Sequence, residues 1–169
     1  VQMEWLESKE VITARGFAEF RNKTLSLYQS RVRSMQVTVD KQCRFTHPGF
    51  GQAGRWYGKC DDGLASGRGY GLVMSERGDT VEFIGDARKG LASGSGGMII
   101  QRRGQGGATY YEGSFKNGKP DGVVLVEEAG EQQKLRLYNA GVDVGKGNAA
   151  NLQSLSFASN SLFEGYLSP

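Results

Sequence analysis

Along the middle of the chain, hydrophobic and polar residues alternate in short runs. In Tyr111-Glu112-Gly113-Ser114-Phe115 the apolar side chains fall on every second position, the period of a strand with one buried face. Lys116-Asn117-Gly118-Lys119 follows, and Asn-Gly is the dipeptide that closes a two-residue hairpin. Val123–Glu127 then reads as the returning strand, and Met98-Ile99-Ile100 is a second apolar run of strand length. Upstream the period changes. Leu25, Tyr28, Val32 and Met35 are spaced 3, 4 and 3 apart, which predicts an amphipathic helix over 22–35, with Asn22 or Thr24 as its cap and Arg31 and Arg33 off its apolar face. Met35, Val37 and Val39 alternate with polar residues and predict a strand over 36–45. The pattern of Val11–Phe20 is ambiguous between helix and strand, and a strand is preferred.

Aligned on an aromatic residue, the chain repeats itself. Trp56 is followed by glycine at offsets 2, 7, 11 and 13 (Gly58, Gly63, Gly67, Gly69), and Phe83 by glycine at the same four offsets (Gly85, Gly90, Gly94, Gly96). The filler repeats as well, Gly63-Leu64-Ala65-Ser66-Gly67 against Gly90-Leu91-Ala92-Ser93-Gly94. Tyr111 opens a third unit with Gly113, Gly118 and Gly122, and Val124 in place of the fourth glycine. Tyr138 opens a decayed fourth, with Ala140 and Gly145 at offsets 2 and 7. The starts lie 27, 28 and 27 residues apart, and Phe163-Glu164-Gly165 echoes the opening near the end. Each unit reads as one hairpin, and a single hairpin cannot bury its apolar face, so the units must stack into a shared sheet. Glycine at offset 2 is expected to leave room for the rings of neighbouring units.

The segment Tyr111-Glu112-Gly113-Ser114-Phe115-Lys116-Asn117-Gly118-Lys119-Pro120-Asp121-Gly122 resembles the core motif of the MORN (membrane occupation and recognition nexus) repeat family, and the resemblance extends over roughly residues 56–148. These units are a few residues longer than the family's usual one. The surplus falls at Ser75–Asp79 and Arg102–Gly107, read as lengthened hairpin tips projecting from one edge. The resemblance implies partner binding rather than catalysis, and a bacterial envelope or periplasmic setting. The expected fold is mainly β: an elongated array of stacked antiparallel hairpins over 51–148, an N-terminal strand/helix cap over 1–50, and a connector and cap over 149–169 in which Leu162, Phe163, Tyr166 and Leu167 pack on the fourth unit.

Composition agrees with a turn-rich array: 26 of 169 residues are glycine and only 3 are proline. The net charge of +3 is too balanced for a nucleic-acid-binding face, and no apolar run approaches the ~20 residues of a membrane-spanning helix. Two cysteines, Cys43 and Cys60, lie 17 apart, a spacing that fits no metal site. Cys60 occupies the offset that holds Phe115 in the third unit and so faces the apolar side. Cys43 closes the preceding strand. A Cys43–Cys60 disulfide is therefore predicted, with a periplasmic or secreted location; two buried free thiols, and a cytoplasmic location, are the alternative.

Chemistry is sparse. His47 is the only histidine and lies in the loop Phe45-Thr46-His47-Pro48-Gly49, which argues against a histidine-rich zinc site. A Cys43–His47 dyad would need a free thiol. Asp61-Asp62 falls where Arg88-Lys89 and Lys116-Asn117 stand in the other units, which makes it a turn rather than a catalytic carboxylate pair. Gly67-Arg68-Gly69-Tyr70-Gly71 precedes a strand, unlike a phosphate loop. No catalytic residue, metal or cofactor is expected. The expected function is a protein-binding scaffold, with Trp56, Tyr57, Phe83, Tyr111 and Tyr138 as candidate contacts. The alternative is a binder of anionic lipid headgroups or cell-wall glycan, using Arg102 and Arg103 together with Arg88-Lys89 and Lys116/Lys119.

Overall fold

Four two-residue turns organise the protein. Asp62-Gly63, Lys89-Gly90, Asn117-Gly118 and Ala140-Gly141 all have positive φ at both positions, 55° and 77°, 52° and 84°, 53° and 84°, and 51° and 89°. Paired positive φ values define the hairpin turn whose twist matches its strands. The computed structural model describes residues 18, 20–26, 29, 30 and 43–147. Nine strands run through it: β1 (Arg44–Phe45), β2 (Gly54–Asp61), β3 (Leu64–Met74), β4 (Thr80–Arg88), β5 (Leu91–Gln101), β6 (Ala108–Lys116), β7 (Lys119–Glu128), β8 (Lys134–Asn139) and β9 (Val142–Lys146). They form one sheet in the order of the chain, each antiparallel to the next, and β1 also makes a parallel contact with β3. The class is mainly β. Phe20–Leu25 forms one π-helical turn, so the strand reading does not extend through Phe20. The rest of the predicted 11–20 strand apart from Ala18, residues 31–35 of the predicted helix, residues 36–42 of the predicted strand and the 149–169 cap lie outside the described residues.

The turns relocate the fourth unit. In the first three hairpins the turn pair sits six and seven residues after Trp56, Phe83 and Tyr111. With the fourth turn at Ala140-Gly141, the equivalent of those aromatics is Lys134. Tyr138 pairs with Asp143, as Phe115 pairs with Pro120, Ala87 with Ala92 and Cys60 with Ala65. The register that starts a unit at Tyr138 is therefore corrected. Ser75–Asp79 and Arg102–Gly107 do share an edge, but they join successive hairpins at the end opposite the tight turns.

The glycine offsets acquire separate reasons. The first three hairpins break register at the same place, between Gly58 and Cys60, Gly85 and Ala87, and Gly113 and Phe115, and the fourth breaks beside it, between Leu137 and Tyr138. Such bulges bend a hairpin. Gly94 lies opposite the second of them at φ 118°, a conformation side chains resist. Gly96 is small for another reason: a Cβ there would lie 2.5 Å from the Phe83 ring. The ring thus folds over glycines of its own hairpin, not into space left by a neighbour. Val124 replaces this glycine in the third unit, and Tyr111 instead meets Tyr138 edge-on at 6.3 Å.

Tight turns are stitched to one another. Gly90 N donates to Ala65 O (3.0 Å), Gly118 N to Ala92 O (2.8 Å) and Gly141 N to Pro120 O (3.0 Å). The bulges fold these turn ends over one face. A straight β5 would span about 35 Å at ~3.3 Å per residue, yet Pro48 packs against Gly118 beside its start while a Cβ on Gly49 would lie 4.0 Å from the Arg102 guanidinium beyond its end. The result is an inner trough lined by Trp56, Val73, Val81, Phe83, Met98 and Phe115.

Candidate functional site

The trough is already filled along the first three hairpins. Phe45, fully buried, lies between Trp56 and Phe83, its ring stacked on each at centroid distances of 5.4 and 5.6 Å. Gly71 makes the slot: a Cβ there would lie 2.5 Å from the Phe45 ring. Phe115 closes the row edge-on against Phe83 at 5.4 Å. Phe50 seals the far end, with the Arg102 guanidinium 5.8 Å above its ring. Backbone bonds hold the segment down: Arg44 N donates to Gly63 O (3.0 Å), Thr46 N to Gly90 O (2.7 Å), and Trp56 N to Cys43 O (3.2 Å). A disulfide joins Cys43 to Cys60, whose Cα atoms are 5.8 Å apart. That bond points to an oxidising compartment.

This geometry divides the candidate contacts. Trp56 and Phe83 are 1% and 0% exposed and serve as core beneath Phe45. Tyr57 stands on the opposite, outer face, stacked on Tyr70 at 5.9 Å. Tyr111 and Tyr138 are brought together where the trough leaves the Phe45 segment behind, and both stay partly exposed. Burial and the neighbouring Tyr111 and Asp143 push the Tyr138 phenol up to about 12, and burial with Glu128 nearby raises Tyr111. Beside them a cavity of about 330 Å³ is lined by Val126, Glu128, Arg136, Tyr138 and Asp143, among others. Arg136 grips Asp143 through Nε and Nη2 at 2.9–3.2 Å.

The cations are split between the two ends. Arg102 and Arg103 clip adjacent loops around Asp79, which is 6% exposed: Arg103 N donates to Asp79 Oδ1 (2.7 Å) and Arg102 Nη1 lies 3.9 Å from Oδ2. Arg88, Lys89, Lys116 and Lys119 are exposed at the second and third tight turns, on the opposite edge. The outer face is covered by the π-helical turn. Phe20 packs on Gly97 and meets Tyr110 at 4.9 Å, while Gln29 Nε2 and Tyr70 Oη both donate to Glu82 Oε2, at 2.8 and 2.6 Å. Burial, then Glu82, raises the Tyr70 phenol. Tyr110 Oη donates to buried Glu112 in the same face. Among the described residues no three His, Cys, Asp or Glu side chains gather as metal ligands, and no helix is long and apolar enough to cross a membrane.

Phe45, Phe50 and the exposed Val142 and Val144 stand outside the aromatic-glycine pattern of the repeats. The signal for Phe45 was its position two residues after Cys43, in the segment that the disulfide ties to the first hairpin. Neither the family models nor the curated proteins compared with this chain match it.

His47 gives the segment a pH dependence. Its Nδ1 accepts the Gly49 N–H at 3.0 Å. Burial, with Arg102 and Lys119 adding positive potential, lowers its pKa from 6.5 to about 4. The unfolded chain binds the proton first, so the contribution of neutral His47 is complete above about pH 6.5 and is lost as pH falls toward 4. Between pH 7 and 4.5 the wild type is expected to lose roughly 1–2 kcal/mol more stability than His47→Gln, after allowance for solvent screening. Urea melts of both proteins at the two pH values measure this, and identical losses would rule it out.

Proposed function

We propose that this chain is a non-enzymatic protein-binding module of the cell envelope, built from MORN-like repeats and working in the periplasm or outside the cell. The repeated turn, bulge and glycine positions support the repeat reading, and the Cys43–Cys60 disulfide supports the location. The observation that carries partner binding is the fourth hairpin. There Leu137 on β8 is 40% exposed, and Val142 and Val144 are 62% and 54% exposed on β9, an edge strand whose other side has no neighbour among the described strands. Tyr111 and Tyr138 adjoin it. Exposed apolar side chains on a strand edge suit addition of a partner strand, with tyrosines as anchors. The test is an affinity pull-down from the native host. Val142→Asp/Val144→Asp is expected to recover at least tenfold less of a specific partner while melting within a few degrees of wild type, because exposed substitutions cost little. Equal recovery would exclude this edge as the contact.

A second reading, an anionic lipid surface, is favoured by the four exposed cations at the second and third turns. Sedimentation with phosphatidylglycerol vesicles at low and high salt separates the two. Pelleting that salt abolishes supports lipid binding, and no pelleting at low salt removes it.

A further inference from the structure

The segment Arg44–Pro48 reads the turn edge in steps of two. Arg44 N bonds to Gly63 O of the first turn and Thr46 N to Gly90 O of the second. Two residues on, at the third turn, stands Pro48, whose ring packs against Gly118 and which has no N–H to donate. Between the two donors, Phe45 drops into a slot made of Trp56, Phe83 and the bare Cα of Gly71. Five residues later Phe50 fills the mouth under Arg102. These are the elements of peptide recognition: main-chain acceptors at fixed spacing and a pocket for alternate side chains. The segment itself has little regular structure, since only Arg44 and Phe45 are strand. A covalent bond, Cys43–Cys60, fastens its start.

We propose that the trough of the first three hairpins is a peptide-binding groove, that Cys43–Phe50 occupies it as a self-ligand, and that cleavage of the disulfide lets an extended segment of a partner protein take its place. The partner segment carries an aromatic residue flanked by two residues with free N–H groups. A non-proline residue at the Pro48 position would add the third bond, to the Gly118 carbonyl. This rests on the protein-binding reading and adds to it a second, gated surface. The opening step needs a dithiol. Its two thiols pass two electrons and two protons to the Cys43–Cys60 bond, which becomes two thiols, and the dithiol leaves as its own disulfide. While the disulfide is closed, the tethered segment outcompetes a free one through its high effective concentration.

The decisive experiment is covalent capture with the full chain. Cys43→Ser/Phe45→Ala empties the slot and leaves the Cys60 thiol. The probe is a synthetic peptide of residues 41–51 with its cysteine intact, incubated in a glutathione redox buffer and read by intact mass. The Cys60–peptide adduct is expected to be at least tenfold more abundant than with a peptide carrying alanine at the Phe45 position. Equal yields, or Cys60 carrying glutathione alone, overturn the proposal. Should the double variant lose its β-sheet circular dichroism, hydrogen exchange on the wild-type chain decides instead. On reduction, the Arg44 and Thr46 amides are expected to exchange at least tenfold faster while the amides of β4–β7 keep their protection. Unchanged Arg44 and Thr46, or protection lost throughout the sheet, overturns it equally. Failure here with a partner still recovered through Val142 and Val144 leaves the protein-binding module standing and removes only this groove.

Discussion

Phe83→Ala is expected to lower the stability of the oxidised protein by about 4 kcal/mol at pH 7, the upper part of the range for emptying a buried aromatic site. Three features place it there. The ring is 0% exposed and touches the two sides of the core, stacked on Phe45 at 5.6 Å and edge-on to Phe115 at 5.4 Å. It also lies against Gly85 and Gly96, where a Cβ would come within 2.8 and 2.5 Å of it. Glycines have no side chains that can swing into the space left behind, so the cavity stays open. Removing the ring also unseats Phe45, and with it the segment in the trough. Guanidinium melts of wild type and variant measure the loss, and the thermal midpoint should fall by roughly 10 °C or more. Tyr57→Ala, on the outer face and only partly buried, serves as the control and is expected to cost far less. A loss for Phe83→Ala below about 1.5 kcal/mol would mean that the ring row is not what holds the hairpins together.

The parts of this fold that were legible in the sequence are the parts encoded locally. Glycine at offset 7 marks a turn, glycine at offset 11 marks a bulge, and both needs arise within one hairpin. Asp62, Lys89 and Asn117 each precede such a glycine in a polar setting that announces a turn. Ala140 does not. Alanine has no preference for the left-handed region it adopts at φ 51°, so the sequence marks the fourth hairpin by the conspicuous Tyr138, four residues beyond the position equivalent to Trp56. The better cue was Gly141 after the alternating Leu135 and Leu137. The trough was legible only in half. The repeat marks its lining, Trp56 and Phe83, but not its lid, because Phe45 belongs to no repeat and reaches these rings only through the fold. Rings that look like contacts in a one-dimensional pattern thus became core once a segment from outside the pattern covered them. Arg102 and Arg103 changed meaning in the same way, through Asp79 on a loop more than twenty residues away.

Reduction of Cys43–Cys60 is expected to destabilise the chain by about 3 kcal/mol, the loop-closure value for a 17-residue separation. Melts with and without a phosphine reductant measure it, and Cys43→Ser/Cys60→Ser should match the reduced wild type and ignore the reductant. The crosslink also decides which part loosens on reduction. Cys60 sits one residue before the Asp61-Asp62-Gly63 turn region, and Cys43 offers its carbonyl to Trp56 N at 3.2 Å. The bond therefore fixes the start of the trough segment against the first hairpin before Phe45 and Phe50 are placed. Without it, those two rings must order the segment alone, at a conformational cost of about 1–2 kcal/mol for each backbone residue fixed. Their burial offsets part of that cost, which is why the sheet should survive reduction while the segment loosens. Stability unchanged on reduction would mean that stacking of Phe45 between Trp56 and Phe83 suffices to hold the segment, and that the crosslink serves neither the fold nor a gate.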